Sequence, residues 1–162
     1  EDNKWKKPSA PPPPMFFGKK ERDLVKQVND EVIERVVGQE VLYFGIDYEN
    51  THFHPLYGEA IEKTFYPPIR VYAMVEFLGI ETNFLENMAL DKSTKIKVMF
   101  HKRRLTEDQD LFVREGDFVK YGEVFYEIVK IAEPKLLFGQ TEHRFEIHAE
   151  CIRARDGLFN AE

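Results

Sequence analysis

Apolar positions between Glu21 and Val37 recur with helical spacing. Projected at about 100° per residue, Leu24, Val25, Val28, Val32 and Val36 share one stripe about 120° wide. Glu21, Asp23 and Glu31 favour the early turns, and Gly38 stands where a left-handed residue ends a helix. The stripe is mostly valine, whose branched side chains lower intrinsic helix propensity, so packing must hold this helix. After Gly38 the period changes from 3.6 to two. Val41-Leu42-Tyr43-Phe44 reads as a strand ending at Gly45. The stretch from His52 to Pro68, rich in proline, glycine and aromatics, reads as a long ordered loop with one helical turn near Glu59–Lys63.

Ile69, Val71, Ala73, Val75 and Phe77 then alternate with Arg70, Tyr72, Met74 and Glu76, which predicts a strand opening after Pro67-Pro68. Ile96, Val98 and Phe100 alternate with Lys95, Lys97 and Met99. His101-Lys102-Arg103-Arg104 and the acidic run Thr106 to Asp110 follow as a polar, exposed connection. Asp117 to Ile131 reads as two strands around a tight turn at Gly122, broken by Glu133-Pro134. Phe145, Ile147, Ala149 and Cys151 alternate with Glu146, His148, Glu150 and Ile152 in a final half-buried strand. Short strands spaced by turns, with one helix, predict a mainly β fold with a barrel or sandwich core. The domain is expected over 21–162 with its helix near 21–37, preceded by an arm over 1–20.

That arm differs in kind from the rest. Pro11-Pro12-Pro13-Pro14 fixes φ and removes backbone donors, favouring an extended polyproline II segment. Met15, Phe16 and Phe17 follow it, bulky apolar side chains that either dock on a neighbouring subunit or cap the domain's own core. A further alternative reading of the proline run is a ligand for a proline-binding module.

The 162 residues suit one domain plus an arm, and area scaling has such a chain burying about 70% of its surface on folding. With 43% hydrophobic residues the chain can build a core, yet no apolar run approaches the ~20 residues that span a bilayer. Cys151 is the one cysteine, which excludes an intrachain disulfide framework and a CxxC zinc ribbon and suits a reducing compartment. The chain starts at Glu1 without Met and shows no secretory signal, an expectation of trimming. Its 23 Lys+Arg against 29 Asp+Glu give a net charge of −6, unlike proteins that grip duplex DNA through many phosphates.

Catalytic motifs are scarce. Gly-rich phosphate loops and a GxSxG elbow are missing, and the two serines are Ser9 and Ser93. His52 and His54, with Asp47, Glu49 and Glu59 nearby, have the residue types and spacing of a metal site. The same segment holds Tyr48, Phe53, Pro55 and Tyr57, which suits histidines packed among aromatics. Glu127, inside an apolar strand beside Phe125 and Val129, is either an inward acid or an edge contact. Cys151 reads as a buried inert thiol. Lys102, Arg103 and Arg104 are the candidate contact to DNA phosphate, or a solvated loop facing Glu107, Asp108 and Asp110. These readings predict no enzyme, no cofactor and no metal. The alternatives are a small metal-dependent hydrolase using His52 and His54, and a monomeric adaptor whose proline arm binds an SH3-like partner.

The run Val113-Arg114-Glu115-Gly116-Asp117-Phe118-Val119, then Phe125-Tyr126-Glu127-Ile128, Glu133-Pro134 and Gly139-Gln140, resembles the neck or head-closure proteins of contractile-tailed bacteriophages. The upstream order agrees: an amphipathic helix, Val41 to Phe44, Leu56-Tyr57-Gly58-Glu59, and the strand after Pro68. The likeness covers about residues 21–152, and the proline arm has no counterpart in it. It implies a structural virion protein without catalytic residues, a ring of about six copies in the neck, assembled in the host cytoplasm. Such a ring closes the DNA-filled head and joins it to the tail. Its partners would be other copies, portal-side head-completion and tail-terminator proteins, and, non-specifically, the packaged double-stranded DNA. In a ring, Lys102, Arg103 and Arg104 would form a belt facing the channel or an adjacent ring, and Met15, Phe16 and Phe17 would staple subunits.

Overall fold

A computed structural model describes residues 18–53, 55–58, 60–84, 90–134, 136–137 and 140–154. Helix α1 spans Lys19–Glu31 and continues as a wider π-helical turn, Val32–Val37. That turn ends as the sequence predicts: Gly38 takes a left-handed φ of 59°, and its N–H donates to the Ile33 carbonyl at 3.0 Å. Ten strands follow: β1 (Glu40–Phe44), β2 (His52–Phe53), β3 (Ala60–Glu62), β4 (Ile69–Phe84), β5 (Leu90–His101), β6 (Phe118–Tyr121), β7 (Val124–Ala132), β8 (Leu136–Leu137), β9 (Gln140–Arg144) and β10 (Glu146–Arg153).

Six of them close a barrel in the order β1-β4-β5-β10-β7-β6, with β6 pairing back to β1. Every pairing in the barrel is antiparallel. The mainly β expectation is therefore met by a barrel, with one N-terminal helix. Closure removes the edges that an open sheet would leave. Alternation sorts the side chains, sending Val71, Ala73, Ile96, Val98, Phe100, Ile147, Ala149 and Cys151 into the core. Tyr126 and Ile128 fill it from β7. Phe125 and Glu127 therefore face outward, and Glu127 pairs with Lys63 at 3.6 Å rather than acting as an inward acid. Buried Cys151 has its thiol pushed up to about 12 by desolvation, as an inert core thiol should.

Outside the barrel, the segment from Ile46 to Pro68 folds back on β1 and β6. Asp47 N–H donates to the Thr64 carbonyl at 2.8 Å, and Tyr66 N–H to that of Gly45 at 2.9 Å. Phe65 packs edge-on against Phe44 and Phe118, with ring centroids 6.3 and 5.3 Å apart. The helical turn expected near Glu59–Lys63 is not what forms there. Ala60–Glu62 is instead a short strand paired with His52–Phe53, because the aromatic anchor at Phe65 holds this segment extended against its partner.

The helix corrects a second expectation. Leu24, Val28 and Val36, three members of its apolar stripe, are 60%, 51% and 76% exposed. The buried positions are Asp30 and Ile33. Ile33 carries the packing and Asp30 the ion pairs, so the helix meets the barrel on a mixed face and leaves much of its apolar stripe bare. Among the described residues, no helix is long and apolar enough to cross a membrane.

Candidate interaction surfaces

The basic cluster lies on a helical turn that begins at Lys102 and becomes a π-helical segment over Arg104–Asp108. This turn directly follows β5 and brings the cations under α1. Arg103 donates to Asp30. Arg104 Nε lies 2.7 Å from Glu34 Oε1, and its Nη1 donates to Asp108 Oδ2 at 2.7 Å. Lys102 Nζ donates to Glu133 Oε2 at 3.2 Å. Behind them His101 is 2% exposed, its Nδ1 2.9 Å from Asp30 Oδ1. Burial first, then the Arg103 and Arg104 charges, push the imidazole below its ordinary range, against the pull of Asp30. In the neutral ring that this favours, Nδ1 accepts from the Arg104 backbone N–H at 3.4 Å. Its Nε2 is buried without a hydrogen-bond partner, as is Asp30 Oδ1.

This cluster is a clamp between helix and barrel. The exposed connection expected for Lys102, Arg103 and Arg104 is thus corrected: each is only partly exposed and carries a carboxylate partner. The nearby acid Asp108 was legible as a neighbour. Asp30 and Glu34 were not, because they approach from some seventy residues away. A cavity of about 240 Å³ remains beside the clamp, bounded by Ile33, Val71, Tyr72 and Leu105 on its apolar side.

A second polar network ties the Glu115-Gly116-Asp117 turn to the barrel. Tyr43 donates its hydroxyl to Asp117 Oδ2, the Ile46 N–H donates to Oδ1 at 3.0 Å, and the Arg114 N–H donates to the Tyr43 oxygen at 3.2 Å. Burial and the adjacent carboxylate push the Tyr43 phenol far up, so it stays protonated. Both oxygens of Asp117 are engaged, which makes it a framework acid. Gly116, at φ 93°, supplies the turn that a side chain would strain.

The histidine pair does not form a site within the described residues. His52 is exposed on β2, and His54 and Glu59 lie outside those residues. The Asp47 carboxylate is taken by Asn50 and by the N–H of Glu49, bonds that hold it below the usual carboxylate range. No group of three His, Cys, Asp or Glu side chains among the described residues is placed to hold a metal ion.

What remains available is apolar surface. Beyond the barrel, β4 and β5 continue as a two-stranded ribbon from Phe77 to Phe84 and from Leu90 to Lys95. β1 pairs with β4 only from Ile69 to Tyr72, and Gln39 extends the ladder to Ala73 and, through its side chain, to Val75. Beyond that point the ribbon leaves the sheet, with Phe77, Leu78 and Ile80 at 62%, 49% and 60% exposure. Leu56 and Tyr57, on the loop after β2, are also exposed. Met15, Phe16 and Phe17 lie outside the described residues. Compared with known proteins, the chain matches no family model and no curated relative.

Proposed function

We propose that the chain is a structural ring subunit of the neck of a contractile-tailed bacteriophage, closing the DNA-filled head and joining it to the tail. The observation that carries this reading is the ribbon. A barrel that closes all its own edges nevertheless extends β4 and β5 beyond itself and leaves Phe77, Leu78 and Ile80 in water. Exposed apolar clusters of this kind mark surfaces that another protein covers. The residues behind the phage resemblance also have framework roles. Asp117 anchors the barrel's closing hairpin, and Glu127 ties that hairpin to Lys63. In the Asp117 network both carboxylate oxygens are engaged, as befits a part that bears load rather than turns over substrate.

In this reading about six copies surround the axis, and the formal charge of −6 per chain lets DNA pass without being gripped. Native mass spectrometry and negative-stain microscopy of the full chain test it, alone and mixed with portal-side and tail-terminator proteins. A closed ring is expected in at least one mixture. A chain that stays monomeric throughout, at concentrations well above those of assembly, would overturn the reading.

A further inference from the structure

We propose that the cavity between α1 and the turn after β5 is a binding site for a small neutral molecule carrying a hydroxyl head on an apolar body. The proposal stands apart from the ring reading, since it concerns the interior of one chain. Its first ground is where the unsatisfied polar atoms lie. Among the described residues, the buried side-chain atoms without a hydrogen-bond partner are Asn29 Nδ2, Asp30 Oδ1, His101 Nε2, Arg103 Nε and Arg104 Nε. All five belong to the seam between the helix and the clamp. The two guanidinium groups have carboxylates beside them. Asp30 Oδ1 has only His101 Nδ1 at 2.9 Å, and that nitrogen already accepts from the Arg104 N–H, so it gives Oδ1 no proton. A buried polar atom left unpaired is costly, and native proteins meet it with a ligand or an ordered water. Asp30 and His101 both line the cavity.

The backbone around it is the second ground. Both π-helical segments border the cavity: Val32–Val37 supplies Ile33 and Glu34, and Arg104–Asp108 supplies Arg104, Leu105 and Asp108. Such turns are rare and recur at functional sites. Size, wall and polarity then narrow the occupant. About 240 Å³ falls below the roughly 300–1,000 Å³ of pockets for drug-sized ligands, so the occupant is small. Ile33, Val71 and Leu105, all buried, make an apolar wall that suits an apolar body. On the polar side, His101 and Asp30 are 2% and 5% exposed and ask for opposite things. With Nδ1 accepting, the neutral ring carries its proton on Nε2, which needs an acceptor, whereas Asp30 Oδ1 needs a donor. A hydroxyl is the smallest head that supplies both. An ammonium would leave the Nε2 proton without an acceptor. A carboxylate would give Oδ1 no donor and would stand among Asp30, Glu34 and Asp108.

Titration of the full chain followed by NMR tests it, with histidine and methyl groups isotope-labelled and benzyl alcohol as the probe. A saturable shift of the His101 Nε2 resonance, together with the Ile33 and Leu105 methyls, is the expected result. Toluene should bind about tenfold more weakly, because it leaves both polar atoms unpaired. Benzylamine and benzoate should also bind more weakly than the alcohol. His101→Phe should bring the alcohol down to the level of toluene, and the series on the parent chain decides the matter even where that variant fails to fold. Shifts that never saturate, or that fall outside this seam, would mean that water alone fills it and would overturn the proposal. Toluene or benzylamine binding as tightly as the alcohol would overturn it as well, since the hydroxyl would then play no part in recognition. Ring formation by native mass is a separate measurement, and either result there leaves this one to stand or fall by itself.

Discussion

At Asp117 one buried carboxylate joins β1, the segment after it and the turn before β6. Its strength is its saturation, since a buried acceptor without donors costs more than the hydrogen bond it would have made. Tyr43→Phe removes the donor to Oδ2 and the acceptor for the Arg114 N–H together. The variant should lose about 1–3 kcal/mol in urea unfolding, with the denaturant slope unchanged. His101 makes a different statement, about pH. Burial, with the Arg103 and Arg104 charges, holds its folded pKa below the ordinary histidine value of 6.5 that it has when unfolded. The unfolded chain therefore takes up the proton first, so the contribution is complete above about pH 6.5 and lost as pH falls toward the folded value. The groups facing this ring are Asp30 from α1, Arg103 and Arg104 from the following turn, and Glu146 from β10. The urea midpoint should fall between pH 7 and pH 5, and His101→Gln should flatten that fall. A wild-type midpoint that holds steady across the window would show that the imidazole does not need to stay neutral.

For the helix as an element, the contrast between its two faces is the prediction. Ile33 is 2% exposed, so Ile33→Ala should cost about 2–5 kcal/mol. Leu24→Ala, on the bare stripe, should change monomer stability by no more than about 0.5 kcal/mol. Comparable losses at both positions would mean that the stripe is covered within the monomer. Replacing Arg103 and Arg104 with serine leaves buried Asp30 facing His101 alone. The expected loss is on the order of 2 kcal/mol, smaller than for a fully buried pair because Arg103 is about one third exposed. Helix content by circular dichroism should melt earlier than the barrel's strand signal in that variant.

By sequence, the arm's first fourteen residues carry a run of prolines and few apolar side chains, and so can bury little on folding. Deleting residues 1–17 should therefore leave the melting temperature nearly unchanged. If Met15, Phe16 and Phe17 contact a neighbour, each phenylalanine burying upwards of about 150 Å², the same deletion should weaken ring formation in native mass. A fall in melting temperature of the isolated chain on deletion would place the arm's aromatics in the domain core instead.

Local periodicity sufficed for the barrel strands, because a strand with one buried face must alternate and its turns must carry glycine where φ is positive. Val71 with Ala73 and Ile96 to Phe100 alternate as read, His148 between Ile147 and Ala149 is buried as well, and Gly38 and Gly122 end or turn their elements at φ 59° and 62°. The same logic failed for α1, because an apolar stripe states only that something must cover it and does not say whether the cover comes from the same chain. It failed again for Lys102, Arg103 and Arg104, whose exposure depended on Asp30 and Glu34, residues with no sequence relation to them. The buried faces of β4 at Val71 and Ala73 and of β5, the Gly38 stop and the inert Cys151 were thus properties of the sequence by itself. Which helix face is bare, which cations are neutralised and how far β4 and β5 run past the barrel were decided only by tertiary structure, because pairing between distant segments has no local signature.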